Sequence, residues 1–195
     1  MKLFAIGAAA LMSVATTSAV AQTPAQAQVQ HGAAIPGICV YFNQQALAQS
    51  TAGQAVQARM EQLAQEVQGE IAPYATSLQT EFQTLQTQGA SLPADQLNQR
   101  RQALQQRATE AQQLEQTRDA ELRYTLAEQR RKISEAIEPI LLNVYAQNRC
   151  AILIDRESVF TMNPAMDITP AIIQGLNSAL PTLSFNRLSV PAQAQ

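Results

Sequence analysis

Few residues in this chain could do chemistry. Cys39 and Cys150 are its only thiols, able to act as nucleophiles, exchange electrons or join as a disulfide. His31 is its one histidine, a candidate for proton transfer or metal ligation. Asp119 and Glu121 are neighbouring acids of the kind that share acid–base work. Their surroundings remove the catalytic options. His31 sits in QTPAQAQVQHGAAIP, residues 22–36, which has two prolines, no apolar periodicity and no Cys, Asp or Glu. Nothing there positions a base or completes a metal site. Asp119 and Glu121 lie in a charged stretch that reads as the solvated side of a helix, with no histidine to cooperate. No Gly-rich phosphate loop is present. No catalytic, cofactor or metal residue is assigned, and the chain reads as a non-enzyme.

The compartment decides what two cysteines can become. Lys2 precedes a short apolar run, Leu3 to Leu11, and the segment closes on Ala19-Val20-Ala21. A basic start, a greasy centre and small residues at the end make residues 1–21 a signal peptide cleaved after Ala21. The run is too short to span a bilayer, and no later run is apolar enough to do so. The expectation is a periplasmic protein with no transmembrane segment in the mature chain. There an even cysteine count permits a disulfide.

The positioning elements come from composition and spacing. Of 195 residues, 46% are hydrophobic, but aromatics are 5% and there is no Trp. Ala, Gln, Leu, Glu and Arg dominate, the vocabulary of long helices. The net charge of −2 gives no basic excess for nucleic acid. Val56, Met60, Leu63, Val67, Ile71, Tyr74, Leu78, Phe82 and Leu85 recur every three or four residues, one stripe along one helix. Gly89 to Pro93 breaks it. A second helix runs from about Ala94 to Asn148, its stripe including Leu97, Leu104, Leu114, Leu122, Leu126, Ile133, Ile137 and Val144. Neither helix is stable alone in water, so they fold into a hairpin over 53–148 with its tip at 89–93. Pro73 lies inside the outgoing arm without interrupting the stripe, which makes it a hinge or kink. Pro139 bends the returning helix near the base.

The base comprises residues 37–52 and 149–185. Ile38-Cys39-Val40-Tyr41-Phe42 reads as a strand after Pro36-Gly37, followed by a short helix to Ala52 punctuated by Gly53. Cys150 to Asp155 is a second strand, and Ser158-Val159-Phe160 a short third. Thr169 caps and Pro170 opens a last helix. Residues 22–36 form a disordered leader and residues 186–195 a frayed tail. The base buries too little surface to stand alone, which points to oligomerisation through it, with Ile38, Val40, Ile152, Leu153 and Ile154 at its core.

Three stretches carry a family resemblance: VYFNQQALAQSTAGQA, with Ser50-x-Ala52-Gly53 before the first arm; the strand Ile152 to Asp155; and Asp167-Ile168-Thr169 opening the last helix. Together with the element order, over about Ile38 to Leu180, the chain resembles the Skp/OmpH family of periplasmic chaperones. The resemblance implies a homotrimer whose base is a β-barrel-like body and whose arms enclose a cavity. It also implies ATP-independent holding of unfolded outer-membrane β-barrel proteins in that cavity; client-binding residues are not assigned. The alternative is a structural or adaptor coiled-coil protein of the cell envelope. Two features depart from the family: well-known members have strongly basic arms, whereas here Arg59 faces Glu61, Glu66, Glu70 and Glu81. Phe42 stands where members often place an acid. Cys39 and Cys150 each lie near the start of a base strand. Parallel neighbouring strands would bring them within disulfide reach; otherwise they are two buried free cysteines.

Overall fold

A computed structural model describes residues 29–192. The signal peptide, its cleavage after Ala21 and the first part of the leader lie outside the described residues. Residues 29–36 have no regular structure, although Gly32 O accepts a hydrogen bond from Asn163 Nδ2 at 2.8 Å.

The body is mainly α-helical. Strand β1 (Ile38–Tyr41) is followed by helix α1 (Asn43–Gln49), the outgoing arm α2 (Thr51–Gln88), a 3-10 turn at Gly89–Ser91 and the returning arm α3 (Ala94–Gln147). Strand β2 (Ile152–Asp155) and helix α4 (Thr169–Ala179) complete it. At ~1.5 Å per residue the 38-residue α2 is about 57 Å long. The 54-residue α3 is longer because its last turns continue past the root of the hairpin into the base.

β1 and β2 pair in parallel, Ile38 opposite Ile152 and Tyr41 opposite Asp155. A parallel pair requires a long crossover, and the whole hairpin is that crossover. The Cα atoms of Cys39 and Cys150 lie 5.7 Å apart and their sulfurs are joined, with no free cysteine. Arg149, in the left-handed region at φ 51°, turns the chain out of α3 so that Cys150 can reach β1.

Several sequence expectations need correction. The third strand is absent at 158–160. Asp155 Oδ1 accepts from the Glu157 N–H at 2.9 Å and the Arg156 guanidinium donates to the Val159 carbonyl, which curls Arg156–Ser158 into a 3-10 turn. The strand-like third partner is Asp167 instead, bridged to Val40 on the side of β1 away from β2. The first helix ends at Gln49, not Ala52. Ser50 Oγ accepts from the Gly53 N–H at 3.1 Å and starts α2 there. Gly53 is therefore not a stop. It sits in the first turn of α2 against the Leu47 carbonyl, where a Cβ would lie 1.6 Å from that oxygen. Thr169 does not cap its own helix: its Oγ1 accepts from Phe42 N at 2.9 Å, while Asp167 Oδ1 accepts from Thr169 N at 2.9 Å. Gly89 is right-handed at the tip and lies against Leu97.

The core occupies the base and the root of the hairpin. Val40, Val56, Leu63, Ile133, Ile172 and Leu176 are buried, joined by Ala46 and Ala52 where α1 packs on α2. A Cβ on Gly175 would meet Ile140 at 2.6 Å, so glycine is what lets α4 approach α3 this closely. Tyr41 is buried beside Asp155; burial, then the Asp155 charge, pushes its phenol up to about 12.

Candidate functional site

Two surfaces distinguish the hairpin: an under-packed distal arm and an ionic clasp about midway along it. Each follows from what the stripe residues can and cannot bury.

In α2 the stripe is buried through Val56, Leu63 and Val67 and no further. Between residues 71 and 120 the sole buried residue is Gly89. Two helices alone bury only one stripe against each other, and here the facing stripe is thin, since Leu114 is the single large apolar residue between Leu104 and Leu122. Tyr74 is 45% exposed and Phe82 54% exposed. A groove near the tip is lined by Phe82, Leu85, Leu97 and Leu104, with Arg101 on its wall. A second groove holds Pro73, Tyr74 and Leu78 with Arg107 and Glu110. Each presents apolar surface beside a cation, a combination suited to loose, sequence-tolerant contact with a polypeptide. The arms cross-link weakly here, through Arg100 and Glu81 at 3.7 Å.

Pro73 lies inside a continuous α2. Having no N–H, it leaves the carbonyl four residues back, on Gly69, without its helical donor. A glycine at that position adds backbone freedom. Pro139 is likewise inside a continuous α3.

Below this point, four charges close a ring. Arg118 Nε donates to Glu70 Oε2 at 2.6 Å, and Arg118 Nη1 to Glu121 Oε2 at 3.0 Å. Arg187, from the C-terminal segment, donates to Glu70 Oε1 at 2.9 Å and forms an ion pair with Glu121 Oε2 at 3.0 Å. Hydrogen bonds from Arg187 and then Arg118 hold the Glu70 carboxyl below its ordinary value. The Glu70 bonds in turn raise Arg118.

The expectation of a tail frayed from residue 186 is thereby corrected as far as Leu188. Arg59 Nε donates to the Phe185 carbonyl at 3.2 Å, and Leu188 N donates to Thr125 Oγ1 at 2.8 Å. The tail also shifts the buried face of α3. Leu122 and Leu126, expected inside, are half-buried, while Glu121, Thr125 and Gln129 are buried. Asp119, the other half of the acid pair, stays outside, joined to Arg123 at 2.9 Å. The signals lay in plain alternation: Leu183 and Phe185 inward with Ser184 and Asn186 outward, and Thr125, Gln129, Ile133 and Ile137 at intervals of four.

In the base, Val40 is buried, Ile38, Leu153 and Ile154 are half-buried, and Ile152 is 53% exposed. The outer edge of β2 has no strand partner among the described residues. Phe160 projects wholly into solvent. His31 is exposed, and among the described residues no group of His, Cys, Asp and Glu could hold a metal ion. No helix among them is long and apolar enough to cross a membrane.

A family model described as outer membrane protein (OmpH-like) matches residues 37–176. A crystal structure from Caulobacter crescentus CB15, described as an OmpH-like outer membrane chaperone, superposes with a TM-score of 0.77 at 32% identity. That match covers 85% of this chain and 98% of the other. No curated protein matches.

Proposed function

The chain belongs to the OmpH-like family of outer membrane proteins, and on that premise we propose that it is an ATP-independent periplasmic holdase for unfolded outer-membrane β-barrel proteins. The observation that carries the reading is the distal arm. Tyr74, Leu78, Phe82, Leu85 and Leu104 lie outside any core, flanked by Arg101 and Arg107. Such a surface offers many weak contacts and no single deep pocket. It suits a ligand that must stay unfolded and later leave. Pro73 gives the arm a bending point with which to follow clients of different bulk.

The reading includes a homotrimer built through the base. An open β2 edge with Ile152 exposed invites further pairing, because unpaired strand edges and apolar side chains gain by being covered. Phe160 adds apolar surface in the same body. Three hairpins rising from one such body would enclose the space in which clients are held. The reaction is binding alone, with no catalytic step and no cofactor.

The test dilutes a urea-unfolded outer-membrane β-barrel protein into buffer with and without the purified chain while following light scattering. Suppression at one trimer per client is expected, with sedimentation at three times the monomer mass. A well-folded helical chain that leaves aggregation unchanged would return the protein to the structural coiled-coil reading.

A further inference from the structure

The C-terminal segment lies along the lower half of the hairpin in an extended conformation. Leu183, Phe185 and Arg187 turn toward the helices while Ser184 and Asn186 face solvent, the period-two pattern of a strand. It belongs to neither sheet nor helix. Its contacts fall into two kinds.

The first kind touches main chain and ignores side-chain identity. Arg59 Nε holds the Phe185 carbonyl and Thr125 Oγ1 takes the Leu188 N–H. One helical turn from Thr125 toward the base lies Gln129, fully buried, with neither amide atom hydrogen-bonded. A carboxamide offers one acceptor and a donor group, the same pairing that a peptide unit presents, and burying it unpaired is costly. The second kind is ionic. Arg187 enters between Glu70 and Glu121, which Arg118 alone would leave with excess negative charge. The groove therefore selects for an extended backbone with alternating apolar side chains followed by a guanidinium.

We propose that this groove is a peptide-binding site distinct from the distal arm, plugged in cis by residues 183–188. Release of the plug opens it to an extended segment of another polypeptide with the same apolar–x–apolar–x–Arg chemistry. The ionic anchor is the latch, since the other contacts are hydrogen bonds from Arg59 and to Thr125 and the half-buried side chains of Leu183, Phe185 and Leu188. Its charges are only partly buried, so the latch weakens as salt rises. The site needs neither a client nor the trimer, so its failure and that of the holdase reading are separable.

The experiment uses the full chain and two variants. Arg187→Glu sets a negative charge against Glu70 and Glu121; Leu188→Pro removes the N–H donated to Thr125. Amide exchange follows residues 183–190 and, as a control for folding, the root of α2 and α3. A labelled peptide of residues 181–190 is titrated against each chain by fluorescence anisotropy. In the variants the tail should lose protection while the root keeps it. The peptide should bind them at least tenfold tighter than the unaltered chain, and a peptide carrying Glu at position 187 should not bind. The proposal is overturned if the tail stays protected in both variants. Equal binding of the peptide to all three chains, or to none once the tail is released, also overturns it. Should Arg187→Glu unfold the root, Leu188→Pro decides.

Discussion

The backbone N–H of Phe42 donates to Thr169 Oγ1 at 2.9 Å across a sequence separation of 127 residues. This bond finishes β1 and pins the start of α4 beside it, because the Ile168 N–H also donates to the Val40 carbonyl at 3.0 Å. Thr169 is fully buried, so no water can replace it. Thr169→Val keeps the shape and removes the acceptor. It should lower unfolding free energy by about 1–3 kcal/mol, whereas Thr169→Ser should recover most of it, as read from urea midpoints.

Reduction should expose the dependence on the Cys39–Cys150 bond. The linked residues are 111 apart, and on the chain-entropy model closing such a loop contributes about 4–5 kcal/mol by restricting the unfolded chain. A Cys39→Ser, Cys150→Ser double variant should match the reduced protein in thermal midpoint. A reduced protein as stable as the oxidised one would contradict this.

Acid should loosen the tail before it unfolds the base. Glu70 has a carboxyl pKa lowered from 4.5 by Arg187 and Arg118. A lowered folded value means its stabilisation is complete above the unfolded value and disappears as pH falls through the folded one. Amide protection of residues 183–188 should therefore be constant near neutrality and decline below about pH 4.5. Glu70→Gln should weaken the tail at pH 7 and flatten the decline. An identical pH profile in that variant would assign the effect to other acids.

Distal apolar residues should separate function from stability. Tyr74→Ser and Phe82→Ser remove side chains that are about half exposed, so the thermal midpoint should move by less than about 2 °C. Suppression of client aggregation should fall severalfold in the double variant. Unchanged suppression would move the client surface elsewhere.

How much of this was legible in the sequence depended on the kind of pattern. The hairpin was, because Val56 to Leu85 repeats its apolar residues often enough for the period to be unambiguous. Both base strands were, from β-branched runs beside turn residues. Their parallel pairing was not, since two short strands carry no marker of relative direction. Ser158 to Phe160 misled because three residues cannot reveal whether a neighbour pairs with them; Asp155 and Arg156 satisfy that stretch locally. The tail was missed because Asn186 and Arg187 look like solvent residues until a partner acid is placed opposite. The same holds for Glu121 and Thr125, polar residues buried where the tail meets them.

Cys39 and Cys150 stand at the two feet of the hairpin, and that has a consequence for damage. A protease that nicks the tip between Gly89 and Pro93 cuts a ring rather than a line. Under oxidising conditions both pieces stay tethered, and the parallel strands at the feet keep their register. The severed arms still pack along their lower halves, where Leu63 and Ile133 are buried and Arg118 holds Glu70, so the cut frees only the distal ends.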